Sequence, residues 1–208
     1  MRPGAESGVP SPGAWRFIFV LDGAVTVVGE TSDGASASAT LRHGGYAFFP
    51  ADAPHAVRSS DGASILVYEK PYRPPTGASA AALGPNLPAP AFVFGDVDEL
   101  PTLETPGETF DLRKLLPQTL EWDVNFHVMD FKPGEFLHVK EMHYNQHGLM
   151  LLEGMGIYRL NDAWYSVQAG DVIWMAPFVT QWYAALGKER SRYIILKDTN
   201  RDPIEAYV

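Results

Sequence analysis

The 208-residue chain contains no cysteine. That excludes disulfides and thiolate ligands, so any metal must be held by imidazole, carboxylate or amide groups. No apolar run approaches the roughly 20 residues that a membrane-spanning helix needs, and no membrane partner is expected. Basic residues are in the minority, 16 Lys and Arg against 25 Asp and Glu, for a formal net charge of −9. That sign disfavours a nucleic-acid partner and suits a small polar or cationic ligand better. The run Met1-Arg2-Pro3-Gly4-Ala5-Glu6 has no apolar signal-peptide core, so the expected compartment is the cytoplasm. Helical periodicity is scarce too, with 110–116 the best short candidate.

Punctuation is abundant. The 19 glycines and 17 prolines separate short apolar runs, which predicts many short strands joined by tight turns. Expected strands are 16–21, 24–28, 46–49 and 64–68, then 125–131, 136–143, 148–152, 156–160, 171–175 and 192–197. The halves repeat each other. The run from Arg16 to Gly23 aligns with that from His147 to Gly154. Gly44 to Pro50, followed by His55, parallels Gly170 to Pro177, followed by Gln181. Each half then runs into a strand ending in a lysine, Lys70 or Lys197. A duplicated barrel-sized unit is the simplest account. Between the copies, 71–90 is rich in Pro, Ala and Gly and reads as a surface linker.

Residues 141–147, Glu-Met-His-Tyr-Asn-Gln-His, carry the chemistry. On an extended strand Glu141 and His143 point to the same side. A tight connection through Tyr144, Asn145 and Gln146 returns the chain with His147 facing the same space. Under the repeat alignment Gln181 comes back beside this pair and can offer its amide oxygen. Two imidazoles, a carboxylate and a neutral oxygen suit a divalent ion of high coordination number. Mn²⁺ is the first choice, followed by Fe²⁺, Ni²⁺ and Zn²⁺. Open coordination positions would make such a site catalytic. The first copy has Arg16 where the second has His147, and its His55 has no visible companions. It reads as a scaffold short of its first strands. Tyr158, Tyr193 and Lys197 invite roles in the second copy, as wall residues, acid–base groups or, for Lys197, a partner for an anionic ligand. His127 and His138 read as bystanders.

The arrangement resembles the cupin superfamily, in particular its two-barrel members. Over 103–203 it looks like the (S)-ureidoglycine aminohydrolase family. The resemblance is carried by Glu104 to Glu108, by Lys140 to Gly148, by Tyr165 to Val179 and by Gln181 to Lys188. It implies an all-β fold of two tandem cupin (double-stranded β-helix, or jelly-roll) barrels. The expected division is a degenerate barrel at 1–72, a linker and lead-in at 73–106, and a metal-binding barrel at 107–208. It also implies a manganese-dependent enzyme of purine (allantoin) catabolism that releases ammonia from (S)-ureidoglycine and gives (S)-ureidoglycolate. The metal ligands would be Glu141, His143, His147 and Gln181, with Tyr158, Tyr193 and Lys197 as catalytic or substrate-contacting groups. A small-molecule substrate and a homo-oligomer are the expected partners. Alternatives are another metal-dependent cupin enzyme (an isomerase or dioxygenase) or a non-enzymatic small-molecule-binding cupin. Thr180 departs from the family pattern, where a proline would precede Gln181.

Overall fold

In the computed structural model, which describes residues 1–201, strands make up nearly all the regular structure. Residues 202–208, the end of the expected second barrel, lie outside the described residues. The chain divides into two compact units, Met1–Glu99 and Leu100–Val208.

The first unit contains β1 (Ala5–Glu6), β2 (Ala14–Gly23), β3 (Val25–Glu30), β4 (Ser36–Leu41), β5 (Gly45–Phe49), β6 (Ala56–Ser59), β7 (Ala63–Pro71), α1 (Gly77–Leu83) and β8 (Val93–Asp96). Its sheets run β1-β6-β3-β4 and β7-β2-β5-β8. The second unit contains β9 (Asp111–Lys114), β10 (Val124–Phe131), β11 (His147–Glu153), β12 (Met155–Leu160), β13 (Ala163–Gln168), β14 (Val172–Met175), β15 (Gln181–Leu186) and β16 (Ser191–Asp198). Its sheets run β14-β11-β16-β10-β9 and β13-β12-β15. Neighbouring strands pair antiparallel. Each unit has its own core, around Ile18, Val20, Val27 and Phe49 in the first, and around Phe131, Leu149, Leu151 and Tyr183 in the second.

The repeat seen in the sequence is present in the topology. The order β7-β2-β5 recurs as β16-β11-β14, and β4-β3-β6 recurs as β13-β12-β15. A bulge interrupts β2 between Val20 and Asp22, and β11 at the matching place between Leu151 and Glu153. The glycines that follow, Gly23 and Gly154, have φ of 77° and 74°. A Cβ there would lie 2.6 Å from Gly62 O in one case and 2.5 Å from Arg190 O in the other. Both positions therefore require glycine for two reasons, the left-handed backbone and the close approach of a second chain segment.

The site follows from the core. In β-strands alternate residues share a face. Leu149 and Leu151 on β11 point into the core, and the next inward position is His147. Tyr193 and Ile195 on β16 lead to Lys197 in the same way, Tyr183 and Ala185 on β15 lead to Gln181, and Phe131 and Met129 on β10 lead to His127. Four apolar rows thus end in polar residues at one mouth of the second unit.

Several expectations are corrected. The 110–116 stretch is no helix. It forms β9, because Phe110 and Leu112 alternate toward the core. The expected 136–143 strand is irregular, held by single bridges from Phe136 to Ala184 and from Glu141 to Gln181. The 73–106 segment is structured in part: it forms α1, and β8 pairs with β5. The first unit therefore runs to Glu99 rather than stopping at residue 72. Its N-terminus supplies a short strand, β1, paired with β6. The lysine correspondence shifts by one residue: Lys197 stands opposite His147, whereas Glu69, not Lys70, stands opposite Arg16. Among the described residues no helix is long and apolar enough to cross a membrane.

Candidate metal centre

Glu141, His143, His147 and Gln181 converge at the mouth of the second unit. Backbone hydrogen bonds fix Glu141 against Gln181 in both directions, at 3.0 and 2.9 Å. The Phe178 N–H donates to the His143 carbonyl at 2.8 Å. Asn145 Nδ2 donates to Asp198 O at 2.6 Å, and Gln146 Nε2 to Asp198 Oδ2 at 3.2 Å. The irregular 141–147 loop is therefore tied to β15 and β16, the strands that carry Gln181 and Lys197. Thr180, the departure noted above, has its carbonyl bonded by the Asn161 N–H at 2.8 Å, so the backbone leading into Gln181 is held without a proline.

The imidazoles define what the site can take. A backbone carbonyl only accepts, so the contacts of His147 Nδ1 with Leu196 O (3.3 Å) and of His143 Nδ1 with Asn145 O (3.2 Å) place an N–H at both Nδ1 atoms. In the neutral rings both Nε2 atoms then carry lone pairs. These atoms lie 2.9 Å apart. Burial keeps the rings neutral. The pKa of His147 is lowered to about 3 by desolvation, then by Lys197 and His143. That of His143 is lowered by desolvation and by Lys197. Two bare lone pairs aimed at one point, each fixed by a carbonyl behind it, are an arrangement that could hold a metal ion, with the outer hydrogen bonds already in place.

The spacing fits as well. An ion about 2.1 Å from each of two cis ligands sets those ligands about 3 Å apart. Gln181 Nε2 lies 3.0 Å from His143 Nε2 and 3.5 Å from Glu141 Oε2. The set is open on the carboxylate side, where Glu141 Oε2 is 3.9 Å from His143 Nε2. Accordingly, among the described residues no three His, Asp or Glu side chains form a finished cage. Gln181 Oε1 accepts from Tyr158 Oη at 2.9 Å, and the same hydroxyl lies 3.2 Å from Met175 Sδ. Turning the amide over puts Oε1 among the donors. Nε2 then donates to Tyr158 Oη, which keeps Met175 as its acceptor.

Of the other expected residues, Tyr158 is fully buried, with its hydroxyl engaged by Gln181 and Met175. It reaches the site through Gln181. Tyr193 is buried on the inner face of β16, where its pKa is raised by desolvation and then by Tyr158 and Glu141. Lys197 is partly buried. Its pKa is lowered by desolvation, against a raising influence from Glu141. His138 contacts Gly107 O, away from the four donors. His127, read as a bystander, is beside the site: its charge acts on His147, and its own pKa is lowered to about 3 by burial, then by Lys114 and Lys197. The missed signal was its parity with Met129 and Phe131.

In the first unit the corresponding point is filled from within. Arg16, the counterpart of His147, bonds Glu69 through Nε (2.7 Å) and Nη2 (2.6 Å). Its Nη1 reaches Gly8 O at 2.7 Å, Ser7 Oγ at 3.2 Å and His55 Nε2, the counterpart of Gln181, at 3.2 Å. A tethered guanidinium occupies the position that the second unit keeps for lone pairs.

Two antiparallel barrels, one with a mouth lined by two histidines, a glutamate and a glutamine, define a two-barrel cupin. No family model matches the chain. Curated relatives do. It is 50% identical over 98% of its length to a probable (S)-ureidoglycine aminohydrolase of Oryza sativa subsp. japonica, and 51% identical over 98% to the (S)-ureidoglycine aminohydrolase of Arabidopsis thaliana. It is 30% identical over 96% to that of Escherichia coli (strain K12). The chain belongs to the (S)-ureidoglycine aminohydrolase family. It spans 62% and 64% of the length of the plant relatives and 72% of the bacterial one. Among solved structures, a putative glyoxylate-induced protein of Pseudomonas aeruginosa is similar at a TM-score of 0.81 and 27% identity, over 97% of this chain and 73% of that one. Oxalate decarboxylase of Bacillus subtilis, described with Mn(II) centres, shares the fold at a TM-score of 0.69 and 13% identity, over 97% of this chain and 68% of that one.

Proposed function

We propose that the second unit is a divalent-metal-dependent hydrolase that releases ammonia from (S)-ureidoglycine and yields (S)-ureidoglycolate, a step of purine breakdown. The observation that carries this reading is the pair of Nε2 lone pairs, 2.9 Å apart, flanked by Glu141 and Gln181. The activity named for relatives at half identity over nearly the whole chain supports the choice of substrate. Manganese suits the mixed nitrogen and oxygen donors, and a fold neighbour carries Mn(II).

Glu141, His143, His147 and Gln181 would hold the ion. When bound, it supplies Lewis acidity next to the reacting carbon. The chain's own residues do the rest. Lys197, on the strand beside His147, pairs with the substrate carboxylate and fixes the α-carbon at the mouth. Tyr193 lines the floor below it, and Tyr158 holds the Gln181 amide. The buried walls exclude bulk water from the opposite side. In the net reaction the bond from the α-carbon to its amine nitrogen breaks and a bond to a water oxygen forms. The proton from water leaves with the ammonia, so no oxidant is consumed.

The test is ammonia release from freshly generated (S)-ureidoglycine, run anaerobically with metal-loaded protein. Stoichiometric ammonia and ureidoglycolate support the reading. Turnover that needs oxygen, or none at all, rejects it in favour of a dioxygenase or a binding protein.

A further inference from the structure

We propose that Met175 is a positioning residue for the metal centre: its sulfur takes the Tyr158 hydroxyl proton and so turns the Gln181 amide oxygen toward the ion. The inference rests on the divalent-metal reading above and adds a relay of two side chains behind the fourth ligand.

The relay is enclosed. Met175 on β14, Tyr158 on β12 and Gln181 on β15 are 2%, 1% and 2% exposed. Tyr158 Oη lies 2.9 Å from Gln181 Oε1 and 3.2 Å from Met175 Sδ. Among the described residues these are its hydrogen-bond partners. A phenol has one proton to give. Given to the amide oxygen, it leaves the sulfur unused and aims the amide nitrogen at His143 Nε2, 3.0 Å away. Given to the sulfur, it leaves an Oη lone pair for the amide N–H. The amide oxygen then faces His143 Nε2 and Glu141 Oε2. The two arrangements differ only in which end of the amide points where. The second alone offers the ion an oxygen, and it gathers three acceptors that a cation holds together. A thioether carries no proton and can only accept, so the sulfur favours this arrangement. A leucine in its place would leave the amide oxygen as the sole acceptor for the hydroxyl. The amide would then present protons where a cation must sit.

The first unit supplies the contrast. Phe49 lies opposite Arg16 as Met175 lies opposite His147. Val27 lies opposite Val57 as Tyr158 lies opposite Tyr183, and His55 and Gln181 stand two residues before those partners. The counterparts of Met175, Tyr158 and Gln181 are therefore Phe49, Val27 and His55. Phe49 stacks on His55 with ring centroids 4.3 Å apart, and His55 turns Nε2 to Arg16. These positions hold neither a sulfur nor a hydroxyl. Both stand behind the amide, in the unit that keeps the lone pairs.

The test is a Mn²⁺ titration of the chelator-treated full chain, followed by electron paramagnetic resonance, with urea unfolding of the metal-free protein alongside. Met175→Leu conserves side-chain volume and should shift the urea midpoint little. It should weaken Mn²⁺ binding about fivefold, the scale of one hydrogen bond. In a Tyr158→Phe background, with no hydroxyl proton to place, Met175→Leu should have no further effect. Packing beside His147 alone would give the same loss in both backgrounds. A second readout needs no substitution. In the diamagnetic Zn²⁺-loaded wild type, the Gln181 amide protons should show nuclear Overhauser contacts to the Tyr158 ring and none to His143. Equal affinity in wild type and Met175→Leu, an equal loss in both backgrounds, or amide protons against His143 overturns the relay. Failure of the wild type to bind either ion overturns the metal reading and the relay with it. A chain that binds Mn²⁺ through the relay but releases no ammonia keeps the relay and sinks the proposed reaction.

Discussion

At the scale of residues, the account depends on where protons sit. His147 donates from Nδ1 to Leu196 O and aims Nε2 at the site. Replacing it with alanine would remove one of the four proposed metal ligands without touching the backbone pairing of β11. We expect His147→Ala to lose stoichiometric metal and more than about a hundredfold in activity, beyond the loss usual for outer-shell changes, with an unchanged far-UV spectrum. Arg16→Ala should do the opposite. It leaves Glu69, His55 and Gly8 O without their shared cation, and breaking such a pair on its buried side costs about 2–4 kcal/mol. Denaturant unfolding should show that loss while the metal content of the chain stays the same. His127 gives a pH signature. Its folded pKa is about 3, against about 6.5 in an unfolded chain. The unfolded state therefore binds the extra proton between those values. The contribution of His127 is complete above about pH 6.5 and is lost as pH falls toward 3, with a slope of up to about 1.4 kcal/mol per pH unit. Urea midpoints of the metal-free protein should show this slope reduced in His127→Gln.

At the scale of elements, the repeated bulge and glycine turn define the unit. Gly154 combines a φ of 74° with a backbone oxygen 2.5 Å from where a Cβ would sit. Gly154→Ala should cost about 1–3 kcal/mol, seen as a lowered unfolding midpoint. The elements also show what the sequence made legible. Continuous apolar runs within 148–152 and 192–197 predicted β11 and β16 closely, because both are interior strands of the five-stranded sheet. The Glu-x-His pair was placed by strand parity, and its two side chains do share a side, yet the segment is an irregular loop held by a single bridge. The 110–116 run misled, because too few residues separate helical from strand spacing there. β4 and β13 were missed because their residues are largely exposed, which leaves little apolar pattern to read. β8 lies in the lead-in beyond the 71–90 stretch and was not read as a strand, because its pairing with β5 is a long-range choice.

At the scale of the whole molecule, duplication followed by divergence explains the pair of units. One keeps its cation as part of the chain, in Arg16. The other keeps two lone pairs, a carboxylate and an amide. The account therefore predicts one ion per chain rather than two. The most direct measurement is a titration of Mn²⁺ into chelator-treated protein, followed by electron paramagnetic resonance. The expected result is one tight site in the wild type and in Arg16→Ala, and none in His147→Ala. A second equivalent site, or a site that survives the loss of His147, would contradict it.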